Sequence, residues 1–343
     1  MESPRDVMLK IGEMAFTGVS QRNIVFNEED LIKYNLQPSQ FLSGFLMELV
    51  ERESSEHSVV YTFPHLTIQE FVAALAQFLS PQSKRTMRCL IRSDMEEDGR
   101  FEIFLRFVAG LSSPRAAQPL EEFLGPFVHQ TTCAVIDWLK EKEVAELTHY
   151  LFESQNQALA QQTLGSLRTL AFGDSSPQKA LRLTPIDCVV VSQAIGLCDT
   201  MKQLNLKNCY IQEEGLQRLV PALHKCEELW LKGNNLGDCG VKRLCEALRN
   251  PDCKIQRLWL DSNRLTDGCT DALVSALSTK RSLRDLDLRS NSFTDGSVRA
   301  LRRLIQTCTS LEGIWLWANK FSSDGRNQLK SLQEIRAELS VTV

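Results

Sequence analysis

Few residues in this chain have the type and spacing for chemistry. The five histidines (His57, His65, His129, His149, His224) form no His-Glu-x-x-His pattern, and no Gly-x-Ser-x-Gly elbow occurs. Adjacent acids such as Glu121-Glu122 read as solvated helix positions. Catalysis is not expected. His65 stands apart, in the run Phe63-Pro64-His65-Leu66-Thr67-Ile68-Gln69-Glu70-Phe71-Val72-Ala73-Ala74. Thr67-x-x-Glu70 has the form of a capping box, which predicts a helix starting directly after His65. Free N–H groups and the dipole at such a helix end favour an anion such as phosphate. From these residues alone, His65 reads either as an anion contact or as a packed or capping side chain.

The second chemistry is recognition. One pattern recurs five times: Met201-x-x-Leu204-x-Leu206-x-x-Cys209, Cys226-x-x-Leu229-x-Leu231-x-x-Asn234, Ile255-x-x-Leu258-x-Leu260-x-x-Asn263, Leu283-x-x-Leu286-x-Leu288-x-x-Asn291 and Leu311-x-x-Ile314-x-Leu316-x-x-Asn319. Its ninth positions are 25, 29, 28 and 28 residues apart (234−209, 263−234, 291−263, 319−291). Side chains alternate along a strand, so the two leucines point inward and the residue between them points out. Those middle residues are Asn205, Trp230, Trp259, Asp287 and Trp315, with Trp317 two positions further on. Tryptophan takes three of the five places although the chain has 5 in all. Such tryptophans either pack on their neighbours or form an exposed hot spot for a partner. Arg257, Asp261, Asp285 and Arg289 flank them with charge of both signs, which suits a protein or peptide better than a polyanion.

The elements that carry these residues follow from the same spacing. Each repeat reads strand, turn, helix, with an asparagine able to satisfy backbone groups at the turn. Asp238-x-Gly240, Asp267-Gly268, Asp295-Gly296 and Asp324-Gly325 mark a second turn, and Glu214-Gly215 is the weakest copy. Each Asp is placed to cap the helix that follows. A degraded unit is expected over Ala180–Cys198, with a helix starting at Thr184-Pro185. The tail from Leu329 to Val343 predicts a capping helix and a short strand, as the open end of a repeat array requires. The repeats resemble the ribonuclease-inhibitor type of leucine-rich repeat. That resemblance implies a solenoid horseshoe whose strands line a concave face. The region's cysteines (Cys209, Cys226, Cys239, Cys245, Cys253, Cys269, Cys308) fall at repeat-related positions and read mostly as small buried hydrophobes.

The first 80 residues do not repeat. Asn27-Glu-Glu-Asp30 predicts a helix N-cap ahead of Leu31–Tyr34. Pro38-Ser39 predicts a further helix with Phe41, Leu42, Phe45, Leu46 and Leu49 on its apolar side, and Ser58–Phe63 has strand character. Helices, a short ribbon and another helix suggest a winged helix. A DNA-reading version would carry basic residues on its second helix, where Glu48, Glu51 and Glu53 are expected here, so nucleic acid is excluded as a partner. A net charge of −4 agrees. The N-terminus lacks a signal-peptide pattern, and Phe71–Leu79, among the most apolar stretches, is far short of the roughly 20 residues that span a bilayer. No CxxC pair and no Asn-x-Ser/Thr acceptor occurs among the 343 residues. The sequence reads as cytoplasmic, without a transmembrane segment.

A resemblance ties these pieces together. Ile24-Val-Phe-Asn-Glu-Glu-Asp-Leu31, Phe41-Leu-Ser-Gly-Phe45 and the run around His65 resemble the winged-helix domain of the NOD-like receptors. Residues 81–165, with apolar clusters at Phe101, Ile103, Phe104, Phe107 and Val108 and at Ala134, Val135, Trp138 and Leu139, resemble their second helical domain. The resemblance implies a winged helix over 1–82, a helical domain over 83–165 and ribonuclease-inhibitor-type repeats over 166–343: an α/β leucine-rich-repeat solenoid after an α-rich region, nearest the pyrin-domain branch. In that family the histidine matching His65 contacts the β-phosphate of ADP. The sequence departs from the family by lacking a Gly-x-x-x-x-Gly-Lys-Ser/Thr loop, so no nucleotide cofactor is expected for this chain, with ADP or ATP belonging to the full architecture. The expected partners are a protein or peptide at Trp230, Trp259, Trp315, Trp317, Arg257, Asp261, Asp287 and Arg289, and full-length receptor relatives.

Overall fold

The computed structural model describes residues 3–36, 42–53, 56–80, 99, 101–141, 144–165, 167–278, 280–336 and 338–343. The chain divides into two compact units, Met1–Gln157 and Ala158–Val343.

In the first unit, helix α1 (Pro4–Gln21) starts where Ser3 accepts from the Asp6 N–H and Pro4 supplies a preset φ. It packs on α3 (Leu66–Leu79), with Gly12 so near that a Cβ would come within 2.3 Å of the Ala76 Cβ. Between them β1 (Val25–Asn27) runs into α2 (Glu28–Lys33), where the expected N-cap forms and Asp30 closes it into a capping box with Asn27. Strands β2 (Met47–Glu53) and β3 (Glu56–Thr62) complete an antiparallel sheet of order β1-β3-β2.

This sheet corrects the sequence reading. Of the expected second helix, only a 3₁₀ turn at Leu42–Gly44 forms, and Pro38, Ser39 and Phe41 lie outside the described residues. Glu48, Glu51 and Glu53 stand on β2, opposite Tyr61, Ser58 and Glu56. Pairing with β3 overrides the local helical spacing: Leu46 is buried just before the strand, while Met47 and Leu49 remain exposed.

Helices α4 (Glu102–Leu111), α5 (Pro114–Leu124), α6 (His129–Glu141), α7 (Val144–Ser154) and α8 (Gln157–Leu164) follow. Phe101, Phe104, Val108, Val135, Trp138 and Leu139 are buried, as their clustering implied, and Phe78 stacks near Phe127 at 5.3 Å. The Arg5 guanidinium donates to the carbonyls of Leu79, Leu124 and Pro126, each at 3.0 Å. Glu121 is not merely solvated; it accepts from the Phe127 N–H at 2.8 Å.

The second unit is a parallel sheet of seven strands in chain order: β4 (Thr169–Ala171), β5 (Met201–Asn205), β6 (Cys226–Trp230), β7 (Arg257–Trp259), β8 (Asp285–Asp287), β9 (Gly313–Trp315) and β10 (Ser340–Thr342). Helices α9 (Pro185–Leu197), α10 (Gln212–Leu223), α11 (Gly237–Arg249), α12 (Thr270–Leu277), α13 (Val298–Thr307) and α14 (Ser323–Ile335) alternate with them. Each Leu-x-Leu pair is fully buried, from Leu204 and Leu206 through Ile314 and Leu316. The tail forms the expected helix and strand. The degraded unit begins earlier than Ala180. Its strand β4 lies in Leu167-x-x-Leu170-x-Phe172, a copy of the pattern that ends in Ser175 where the next repeat carries Cys209 and the four after it Asn.

Two polar ladders join successive repeats. Asn263 Oδ1 accepts from the Asn234 N–H (3.0 Å), and its Nδ2 donates to the Leu231 carbonyl (2.9 Å); Asn234 and Asn291 repeat the arrangement. The second ladder revises the expected caps. Thr266, Thr294 and Ser322 cap the helical turns, each accepting from a glycine N–H. The aspartates reach forward to the next repeat. Asp238 accepts from the Thr266 N–H (2.8 Å) and hydroxyl, Asp267 from the Thr294 N–H (2.9 Å) and hydroxyl and from Ser297, and Asp295 from the Ser322 N–H (2.9 Å). This contact also explains the paired glycine: a Cβ at Gly268 would stand 2.6 Å from Asp238 Oδ2.

Most repeat cysteines are buried. Burial pushes the Cys226 and Cys209 thiols up to about 12, far from a reactive thiolate, whereas Cys239 is exposed.

Candidate functional site

The face of the parallel sheet carries three rows of side chains, because strand register aligns equivalent positions. Trp230 stands beside Trp259, Trp259 beside Asp287, and Asp287 beside Trp315. The Trp230 and Trp259 rings meet edge to face with centroids 5.2 Å apart, so these two pack on one another as well as facing outward. Trp317, at 44% exposed, is the most open of the tryptophans assigned to this face.

The flanking charges are not free. Arg257 bridges Glu228 and Asp285, the latter at 3.1 Å. Arg289 pairs with Asp287 at 2.8 Å, approaches Asp261 at 4.0 Å and lies 5.3 Å from the Trp317 ring centre. Lys232 pairs with Asp261 at 3.1 Å. Asp261 and Asp287 are each only 2% exposed, so these two carboxylates organise the face from beneath. Burial, reinforced by the Asp261 charge and opposed by hydrogen bonding from the Arg289 N–H, pushes Asp287 up to about 6.

Sequence reasoning overlooked two lysines. Lys207 lies 3.7 Å from the Trp230 ring centre. Desolvation, with Lys232 next in effect, holds its pKa below the ordinary value. Lys207 and Lys232 occupy the position two after the middle residue, the same row as Asp261, Arg289 and Trp317. Extending the reading of Trp317 backwards through the repeats would have found them.

His65 lies in the other unit and is exposed. It is itself the N-cap of α3, its Nδ1 accepting from the Thr67 N–H at 3.2 Å and lying 2.8 Å from the Thr67 hydroxyl. The expected capping box of Thr67 and Glu70 does not form, because the helix already begins at Leu66 and Glu70 is buried in its second turn. Acceptance at Nδ1 leaves the ring proton on Nε2, a donor at a helix N-terminus.

Comparison with known proteins follows this layout. A model of the NOD2 winged helix domain matches residues 6–63, one of the NLRC4 helical domain HD2 matches 65–162, and a leucine-rich-repeat model matches 279–301. The chain has the make-up of a NOD-like receptor's C-terminal region. It is 28% identical over 323 residues to the rat NACHT, LRR and PYD domains-containing protein 1a allele 1, covering 80% of this chain and 26% of that protein. Against the mouse NACHT, LRR and PYD domains-containing protein 3 it is 28% identical over 353 residues, covering 82% and 33%. The human NLR family CARD domain-containing protein 3 is 27% identical over 319 residues, with 83% and 29% covered. The chain thus spans about a quarter to a third of these curated relatives. Among its described residues no helix is long and apolar enough to cross a membrane.

Proposed function

We propose that this chain is a non-catalytic, ligand-sensing and regulatory portion of a cytoplasmic NOD-like receptor. The observation that carries the reading is the half-buried Trp230–Trp259 pair and the exposed Trp317, on a sheet face where Arg257, Arg289 and Lys232 are paired with acids. Such a surface favours a protein or peptide with apolar anchors. In a horseshoe arrangement the same residues line the concave side.

His65 supports the regulatory half of the reading. With a NACHT domain supplying the rest of a nucleotide site, its Nε2–H would donate to a phosphate of ADP. A single such bond contributes roughly 1.5–3 kcal/mol, which gives negligible affinity by itself. The chain alone therefore shows no rise in melting temperature with millimolar ADP.

A second reading, a stand-alone binding module or decoy of the ribonuclease-inhibitor kind, draws on the same tryptophan face. The mass of the native protein, detected in its own cells with an antibody against the repeats, separates the two. A band well above 38.8 kDa supports the receptor reading, and a band at 38.8 kDa overturns it in favour of the module.

A further inference from the structure

The first unit holds a buried charge that the described residues leave unanswered. Glu70 is 6% exposed and makes no hydrogen bond or ion pair among them. It lines a cavity of about 290 Å³ together with Gly18, Val19, Ile24 and Leu66. Burial pushes its titration upward, and Arg22 also lines the cavity. Asn23 and Gly99 complete the described lining. At Gly18 a Cβ would come within 2.3 Å of Gln69 Nε2, so this wall is held close by Gln69 and tolerates no side chain of its own. Ile24 and Leu66 remain 53% and 52% exposed.

A carboxylate beneath apolar walls fits a cation carried on an apolar stem. A divalent metal is a poor match, because one carboxylate supplies too few of the six or more oxygen ligands such ions take. A neutral apolar occupant would leave the charge buried and uncompensated. We propose that this cavity receives one lysine or arginine side chain of a docking protein segment, with Glu70 as counter-ion, Val19, Ile24 and Leu66 packing on its methylene stem. The site is separate from the tryptophan face and from His65, and does not depend on a nucleotide.

The test uses the whole chain and two small probes, N-acetyl-arginine methylamide and its uncharged isostere N-acetyl-citrulline methylamide, at tens of millimolar. Amide NMR signals of Gly18 and Leu66 should shift saturably with the arginine probe and not with citrulline. Glu70→Gln should weaken the arginine probe about tenfold or more, as loss of a charge-assisted bond does. The same variant should melt at an equal or higher temperature, since it removes an unpaired buried charge. Equal responses to both probes, no saturable response, or undiminished binding by Glu70→Gln overturns the proposal. So does a several-degree fall in melting temperature, which would give Glu70 a structural partner.

Discussion

The two units treat their polar groups in opposite ways. In the repeats the buried carboxylates and amides are consumed internally: Asn234, Asn263 and Asn291 feed backbone groups of neighbouring repeats, and Asp261 and Asp287 have cationic partners on the same sheet face. In the winged-helix unit, among the described residues, Glu70 is buried without a partner and His65 uses one ring nitrogen at its helix end. A surface whose charges are already paired recognises through shape and aromatic area. One with an unanswered charge recognises through that charge. The two proposals differ accordingly: apolar anchoring on the repeats, electrostatic docking on the first unit.

The largest test of this contrast is Asn263→Ala. It strips two backbone N–H groups and two carbonyls of their buried partner, and should cost about 3 kcal/mol in urea unfolding at several buried groups' worth of lost bonding. A loss below about 1 kcal/mol would mean water replaces the ladder, and the repeats would not be self-satisfied. Asp267→Ala should cost about 2 kcal/mol at neutral pH. Burial opposes ionisation of Asp267, but hydrogen bonds from Ser297 and Thr294 outweigh it and hold its pKa below the ordinary 3.8. Its stabilisation is therefore present above that value and fades as pH falls through the folded pKa.

Trp259→Ala should weaken a partner on the sheet face by roughly 2 kcal/mol. It should also lower stability by about 1 kcal/mol through loss of the edge-to-face pair with Trp230. Lost stability with intact partner affinity would reduce the tryptophans to packing. A pH slope probes the buried carboxylate of this face. With Asp287 raised from 3.8 to about 6, the folded state keeps a proton that the unfolded state has released. Stability should fall as pH rises across that interval and level off above it. Asp287→Asn should flatten the slope; an unchanged slope would show that Arg289 keeps the carboxylate ionised throughout.

Much of the second unit was legible because a repeat states its pattern several times. The buried leucines, the asparagine turns and the outward tryptophans all follow from a strand's alternation. The forward reach of Asp238, Asp267 and Asp295 was not legible, since a local cap and a contact about 28 residues away draw on the same Asp-Gly dipeptide. The β2 strand was missed for a similar reason: Met47–Glu53 owes its conformation to Glu56–Thr62 rather than to its own apolar spacing. Glu70 was read as half of a capping box, and only burial revealed it as an unpaired acid. Sequence reasoning placed the elements well and misjudged the bonds that cross between them.

The aspartate contacts run in one direction, each repeat offering a plug at its own turn and a Thr-x-Gly or Ser-x-x-Gly socket to the repeat before it. An array wired this way accepts a change of length by a whole unit. Removing 264–291 would bring the Asp238 plug to the Thr294 socket with the aspartate joint after it intact. Repeat intervals of 25, 29, 28 and 28 residues add that a unit can also differ by a few residues within its own loops, as long as its plug and its socket are kept.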